Sequence, residues 1–337
     1  MSNCYQTISE ENAKKENKGI ILITLLWVLV GLSLLAFNLA ATVTMEADLS
    51  RSVGDAEQAY FYARGGIEAV LYLIAYPDKD IKKQEALFPF ANGQNHYVMS
   101  NEKMICHLTL QDETGKLDLN FIEEETLERL LLGLGVAESP KALIIESLLK
   151  RRKPSQEVGS RNSKQIKRFR SVEELLSING VSRELIYGVP KKLKKDELAF
   201  QPGLIKFLTV YSGSPQVNIN YAAPEVLAAL PGMTEGRAQQ IVQARKEEVL
   251  MAQDVTALVS SEALALTRTK SSKTYSIIAT AWLKGSSTRR SIKVVARSHT
   301  SSEGGHRRLV WYDEYWPSEA EISLASISEL ELNGLQR

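Results

Sequence analysis

The pattern of hydrophobic and polar positions divides the chain near its N-terminus, where a polar segment gives way at once to an apolar one. Residues 20–43 contain no Asp, Glu, Lys or Arg. About 20 apolar residues in a helix span a bilayer, so this segment can cross one with some tilt. We therefore predict a transmembrane helix from Ile20 to Val43.

The helical pattern continues beyond the apolar segment, through residues 44–76. Apolar or small side chains recur there at alternating spacings of four and three residues, which is one stripe of an amphipathic helix. The stripe consists of Leu49, Val53, Ala56, Tyr60, Ala63, Ile67, Val70 and Ile74. Pro77 disfavours helix at the residue before it. Residues 20–76 are thus predicted as one helix of about 85 Å, whose second half packs on a domain.

An anchor joined to a free coiled-coil stalk is the alternative for this helix. Gly54, Gly65 and Gly66 argue against a stalk, because glycine weakens an exposed helix.

Alternating hydrophobic and polar positions predict two groups of strands that lie far apart in the sequence. The first strand is Met104–Leu110, where every second side chain is apolar. In the second group, two alternating runs at 275–283 and 292–296 flank a turn at 284–287, which is typical of a hairpin. An aromatic-rich run at 309–315 is the last predicted strand.

From these elements we predict an α+β fold, in which the long helix packs on a small antiparallel sheet. The sheet is assigned to residues 77–114 and 271–317, and residues 318–337 form a polar tail. Residues 115–270 between the two groups of strands follow helical patterns, and we predict that they form an inserted all-α domain.

The predicted insert contains an internal echo. Leu117–Asn120 has the same pattern as Val217–Asn220, 100 residues later, and in both places an amphipathic helix follows the Asn. Between the two copies, Ser171–Glu174 has the spacing of a capping box and predicts the start of another helix.

The second copy continues into a pattern typical of a helix-hairpin-helix unit, with the hairpin at Gly232, Met233 and Thr234. In DNA-binding versions, a Gly-hydrophobic-Gly hairpin exposes backbone N–H groups at a helix start, where phosphate binds. Here Thr234 replaces the second Gly and Glu235 follows it, so a side chain and a carboxylate lie where phosphate would approach. We therefore interpret the unit as a packing element.

Charge also argues against nucleic acid as a partner. The chain has 41 basic and 40 acidic residues, a net charge of +1, whereas nucleic-acid binders usually have a marked basic excess. The segment 150–170 is locally basic, with nine Lys or Arg against Glu157 alone. An exposed loop is the preferred interpretation of it, and anionic lipid headgroups or nucleic acid are the alternatives as its ligands.

The order of polar leader, single glycine and apolar segment resembles the precursors of type IV pilin-like proteins. That resemblance implies cleavage by a prepilin peptidase between Gly19 and Ile20, which removes residues 1–19. Most pilins have Glu as the fifth mature residue, and Thr24 stands there in this chain. A secretory signal peptide cut near Ala40–Thr42 and an uncleaved signal anchor are the alternatives.

The missing Glu is characteristic of one branch, the minor pseudopilin K family of type II secretion. Ala56–Gly66 and the segment 217–227 also resemble that family, in the expected order along the chain. The resemblance implies a pilin-like protein of the bacterial inner membrane, with a single span, a cytoplasmic N-terminus and the bulk of the chain in the periplasm. It implies a place at the tip of a pseudopilus, in support of the export of folded proteins.

The implied partners are two other minor pseudopilins of the I and J types and, during maturation, the prepilin peptidase, with secreted proteins as a further class. The resemblance also allows a structural Ca²⁺, although no ligands can be assigned to it by motif. A membrane-anchored helix-hairpin-helix receptor for DNA uptake is the alternative function.

No pattern of catalytic chemistry supports an enzyme. The sequence has no phosphate-binding Gly-Lys-Ser/Thr loop, no Gly-x-Ser-x-Gly elbow and no His-Glu-x-x-His motif. Its four histidines have no metal-ligand spacing. Of the two cysteines, Cys4 lies in the predicted leader and Cys106 in an alternating strand pattern, so we predict neither a disulfide nor a catalytic residue.

Overall fold

The computed structural model describes residues 3–75, 96–152, 168–192, 198–271, 273–298 and 305–315. Pro77, most of the basic segment 150–170 and the predicted tail 318–337 lie outside the described residues. The chain divides into two units, Met1–Glu57 and Gln58–Arg337.

The helices are α1 (Asn3–Ala75), α2 (Glu124–Gly133), α3 (Glu138–Arg152), α4 (Arg183–Tyr187), α5 (Pro224–Ala229), α6 (Glu235–Glu247) and α7 (Ala252–Leu258). The strands are β1 (His96–Ser100), β2 (Met104–Asp112), β3 (Leu117–Asp118), β4 (Gly188–Lys192), β5 (Leu198–Pro202), β6 (Leu208–Thr209), β7 (Val217–Asn218), β8 (Thr267–Arg268), β9 (Thr274–Leu283), β10 (Arg289–Ser298) and β11 (His306–Tyr312).

Helix α1 is continuous, as the two consecutive patterns predict, and ends at Ala75. It begins at Asn3, well before the predicted start at Ile20.

In the second unit, five strands form an antiparallel sheet in the order β1-β2-β9-β10-β11. One face of this sheet packs on α1. Gly66 of the helix comes so close to β2 that an added Cβ would lie 3.0 Å from Leu108 Cδ2. The shared core consists of Ala59, Ala63, Ile67, Val70 and Leu71 of α1 with Met104, Cys106, Leu108, Leu110, Ile277, Ala279, Ala281, Ile292, Val294 and Ala296. The prediction of a long helix on an antiparallel sheet is confirmed.

The strands differ from the predicted ones in several places. Strand β2 continues to Asp112, beyond Leu110, and β10 is longer at both ends than the predicted run 292–296. Strand β1 was not predicted, because it is a short edge strand with three exposed residues among five and carries little periodic signal. Strand β11 begins at His306 and ends at Tyr312, three residues earlier than predicted at each end. Its register with β10 shifts between Val295 and Ala296, which is a bulge.

The insert has its own core, which is built mainly from aliphatic side chains of its helices and of the turns between them. Alongside the helices it contains paired strands that are too short to give a clear alternating pattern: β3 lies parallel to β6, β7 lies parallel to β8, and β4 and β5 are antiparallel. The prediction that the insert is all-α is therefore corrected. The extended pieces that precede the two Asn residues of the echo are β3 and β7.

The capping-box prediction at Ser171–Glu174 is wrong. A 3-10 helix, Val172–Ser177, follows Ser171, whose side chain makes no capping hydrogen bond. Glu174 instead accepts a hydrogen bond from the backbone N–H of Arg170 at 3.1 Å and pairs with Arg151. Its carboxylate is therefore engaged by the chain segment before the turn and by α3.

Candidate assembly surfaces and helix-hairpin-helix-like units

The N-terminal helix carries the residues predicted for processing and assembly. Among the described residues, one helix segment, Ile20–Ala75, is long and apolar enough to cross a membrane, with a mean hydropathy of 2.8 in its most apolar window. Gly19 and Ile20 lie inside α1. Thr24 donates its hydroxyl to the carbonyl of Ile21 at 2.9 Å, so its side chain is neutral and satisfied within its own helix.

The two copies of the echo have the same hydrogen-bonded clamp. The Asn120 side chain donates to Phe169 O at 3.0 Å and accepts from Phe169 N at 2.7 Å. In the second copy, the Asn220 side chain donates to Leu250 O at 3.0 Å and accepts from Leu250 N at 2.9 Å. A carboxamide carries both a donor and an acceptor. Each Asn side chain therefore pairs with both the N–H and the C=O of one distant residue, as a neighbouring strand does in a β-sheet.

A half-buried arginine completes each copy. Arg152 of α3 donates to Ile122 O at 2.6 Å, and Arg245 of α6 donates to Ile219 O at 2.8 Å and to Ala222 O at 2.7 Å. Burial lowers the pKa of both guanidinium groups. Because the clamp and the arginine recur together, the sequence echo is a structural duplication.

The predicted hairpin lies between α5 and α6. Gly232 has φ +64, a conformation that favours glycine. Met233 is buried, with 2% of its surface exposed. Thr234 caps α6, its hydroxyl accepting from Arg237 N at 3.3 Å. In the first copy, Gly135 at φ +79 precedes α3 in the same way.

Polar protein groups lie beside the Gly232 hairpin. A Cβ added at Gly232 would lie 2.5 Å from Glu262 Oε2 and 2.9 Å from Ser260 Oγ. Ser260 also donates its hydroxyl to Pro231 O at 2.7 Å. A carboxylate at this place repels phosphate, so the geometry supports packing rather than nucleic-acid binding.

The Arg129 side chain forms hydrogen bonds between the two hairpin units, which also share one hydrophobic core. Arg129 of α2 donates to the carbonyls of Ala228, at 3.1 Å, and Met233. Arg129 belongs to the first copy, and both acceptors belong to the second. The hairpin therefore serves as an internal contact of the insert.

Arginines at both ends of the basic segment have partners in the protein. Arg151 pairs with Glu174 and lies 4.4 Å from the centre of the Phe169 ring. Arg168 lies 5.5 Å from the centre of the Phe121 ring. Residues 153–167 are outside the described part of the chain.

The described residues offer no ligand set for the Ca²⁺ that the resemblance allows. Within them, no group of three or more His, Cys, Asp or Glu side chains is placed to hold a metal ion. The buried carboxylate of Asp118 is engaged by Gly213 N at 2.7 Å and by Ser212 Oγ at 3.2 Å.

Comparison with known proteins gives a family match for the region that contains the second copy of the echo. Residues 217–277 match a protein-family model. The family is the type II secretion system (T2SS), protein K. This match confirms the resemblance inferred from the sequence, and the matched range includes Asn220, the Gly232 hairpin and the first strand residues after the insert. No sequence among the curated proteins matches the chain.

A solved structure also resembles the chain. It is a chain of the crystal structure of the GspK-GspI-GspJ complex from the enterotoxigenic Escherichia coli type 2 secretion system. The two chains are 12% identical, the match covers 79% of this chain and 99% of that chain, and the TM-score is 0.45.

Sequence reasoning located the hairpin but missed the polar groups that hold the insert together. Asn120 and Asn220 gave a signal, since both stand at the same position of the echo. Nothing in the local pattern indicated Arg129 or Glu262, because their contacts join residues that are far apart in sequence.

Proposed function

We propose that this chain is a minor pseudopilin that caps the tip of a periplasmic type II secretion pseudopilus. The observation that carries the proposal is the match of residues 217–277 to the protein K family, within a chain whose long apolar helix precedes a helix-on-sheet domain. The role is one of binding and shape in support of the export of folded proteins, and no catalytic step is proposed.

Maturation begins at the N-terminus. The prepilin peptidase cuts between Gly19 and Ile20, and residues 20–43 then hold the protein in the inner membrane with its N-terminus in the cytoplasm and its bulk in the periplasm. Thr24 becomes the fifth residue of the mature chain. In ordinary pilins the Glu at this position neutralises the amine of a neighbouring subunit inside an apolar bundle, where an unpaired charge is expensive.

Thr24 and the insert both favour a position at the tip of the pseudopilus. Thr24 has no charge to offer to a neighbouring amine, and its hydroxyl is taken by Ile21 O. The insert adds roughly 150 residues to one side of the sheet, which is too much to repeat around a thin shaft. At the tip no subunit follows, so both features are tolerated there. The partners that the family implies are the I- and J-type minor pseudopilins, and the solved complex contains GspI and GspJ beside GspK.

The test is the mass of the mature N-terminus. Protein extracted from membranes with an active prepilin peptidase should begin at Ile20, and protein from cells without the peptidase should keep residues 1–19. The variant Gly19→Leu should stay full length even with the peptidase, because a bulky side chain at the cut excludes the scissile bond. Gly31→Leu, in the same helix but away from the cut, is the control and should mature normally. A start at Ile20 without the peptidase, or normal maturation of Gly19→Leu, would contradict the proposal.

A further inference from the structure

The chain passes from the sheet into the insert through one tight turn. The 3-10 helix Glu113–Gly115 directly follows β2. Asp112 caps the turn, because its Oδ1 accepts from the backbone N–H of Thr114 at 2.8 Å and from the Thr114 hydroxyl at 2.6 Å. Glu113 is thereby held at the crossing, where 2% of its surface is exposed.

The Glu113 carboxylate has partners on both sides of this crossing. Its Oε1 accepts from Lys116 Nζ at 3.0 Å, at the start of the insert, and from the hydroxyl of Ser276 in β9. Its Oε2 accepts from the hydroxyl of Thr209 in β6. Ser276 stands on the sheet face opposite Ile277, which packs on α1. One side chain thus ties together the sheet and two segments of the insert.

The surroundings of the Glu113 carboxylate favour its charged form. Burial by itself would raise the pKa of Glu113, but the ammonium of Lys116 and the hydroxyls of Ser276 and Thr209 outweigh that effect and hold the pKa below its ordinary value. A buried charge that loses its partners is costly, so the arrangement favours one geometry of sheet and insert. The hydrogen bonds need all four groups in place at once.

A second contact crosses the same joint nearer the solvent. Arg297 of β10 donates to Tyr211 O at 3.0 Å and to the Thr274 hydroxyl at 2.9 Å. Beside it a small cleft separates sheet from insert, with Glu113 and Lys116 among its lining residues and Lys293 and Tyr312 on the sheet side. The hydroxyls of Tyr211 and Tyr312 also form a hydrogen bond between insert and sheet.

We propose that Glu113 is a positioning residue that fixes the orientation of the insert on the sheet, and through it the shape that the tip offers to its partners. The second half of this statement rests on the proposed function. The first half concerns the folded chain alone.

The experiment measures that orientation directly. Full-length protein in nanodiscs carries spin labels at the exposed residues Ser100, on β1, and Gln239, on α6, in a background with Cys4→Ser and Cys106→Ala. Pulsed electron resonance gives the distance between the labels for the parent, Glu113→Ala and Glu113→Asp. The Asp side chain, shorter by one methylene, cannot keep both hydroxyl contacts, and it covers the case in which the Ala variant fails to fold.

The matched control is Asp118→Asn. Asp118 is also a buried carboxylate, with 1% of its surface exposed, but its hydrogen-bond partners, Asn120, Ser212 and Gly213, all lie in the insert. The Asp118→Asn variant should lower the melting temperature, and it should leave the narrow distribution of distances between the labels as it is in the parent. The Glu113 variants should broaden or shift the distance distribution.

A rescue separates positioning from loss of stability. Glu113→Gln keeps one oxygen as an acceptor for a hydroxyl and replaces the other by an NH₂ group, which can donate to the second hydroxyl oxygen. It leaves the Lys116 ammonium unpaired, so it should broaden the distribution. Adding Lys116→Met removes the stranded charge and should restore the narrow distance. A parent-like distance in folded Glu113→Asp and Glu113→Gln would overturn the proposal. The measurement needs neither peptidase nor partner, so a failure of the proposed function leaves its result unaffected.

Discussion

At the scale of single residues, two half-buried polar side chains bind backbone groups that are far away in the sequence. Asn220 holds Leu250, 30 residues later, and Asn120 holds Phe169, 49 residues later. Both backbone partners belong to buried residues, so each amide satisfies groups that water does not reach. We therefore expect Asn120 and Asn220 to contribute substantially to the stability of the insert.

Replacing the clamp tests this dependence. Asn220→Ala should lower the free energy of unfolding by about 2–4 kcal/mol, because it strands the N–H and carbonyl of Leu250 in the interior. Gln239→Ala, an exposed change on α6, should stay within about 0.5 kcal/mol of the parent. Urea unfolding followed by circular dichroism measures both. A loss at Asn220 no larger than that at Gln239 would show that the clamp is not structural.

A histidine on β2 should make stability depend on pH. His107 stacks on Trp282 with ring centres 5.0 Å apart, and burial, with smaller effects of Arg289 and His96, lowers its pKa to about 4. The unfolded chain binds a proton at His107 near pH 6.5, so between pH 6.5 and 4 it holds more protons than the folded protein. The contribution of His107 to stability is therefore full above pH 6.5 and falls as the pH drops.

The variant His107→Gln should remove that part of the pH dependence. Thermal unfolding at pH 7.5 and pH 5 gives the change in melting temperature for the parent and for the variant. The parent should lose more on acidification than His107→Gln does. Equal losses would mean that His107 is protonated in the folded protein.

At the scale of elements, strong periodicity made α1 and the β9–β10 hairpin predictable. Both have long stripes of apolar residues that face one core. Strand β1 was missed because its side chains are largely exposed, and the capping box at Ser171 was wrong because Glu174 binds Arg151 and Arg170 instead. The hairpin at Gly232 was located from its own residues. The neighbouring side chains of Ser260 and Glu262 come from a loop about 30 residues later, so no local pattern predicts their contact with the hairpin.

The packing of Ser260 and Glu262 against the hairpin can be tested by replacing two glycines with alanine. Gly232 and Gly213 have similar positive φ values, +64 and +69, but an added Cβ meets Glu262 and Ser260 at Gly232 and nothing within 4 Å at Gly213. Gly213→Ala should cost about 1–2 kcal/mol through backbone strain alone. Gly232→Ala should cost more, because the buried Ser260 must also move. Equal losses in the free energy of unfolding would show that the loop with Ser260 and Glu262 moves aside without lowering stability.

At the scale of the whole molecule, the family match, the apolar helix and the neutral Thr24 are the observations that support the proposal of a filament subunit at the tip. The sequence alone supported that inference through resemblance, since the leader, the missing Glu and the order of motifs can all be read without a structure. How the insert is held could not be read, because Glu113 and Arg129 would ordinarily be assigned to a solvated surface. Their partners become visible only in the folded chain.

The position of the protein in the filament tests the central proposal most directly. Purified pseudopili carrying this chain with a single gold label at Gln239, an exposed residue of the insert, can be imaged by electron microscopy. The proposal predicts about one label per filament, always at the same end. Labels spaced regularly along the shaft would contradict the tip assignment, even if cleavage between Gly19 and Ile20 were established.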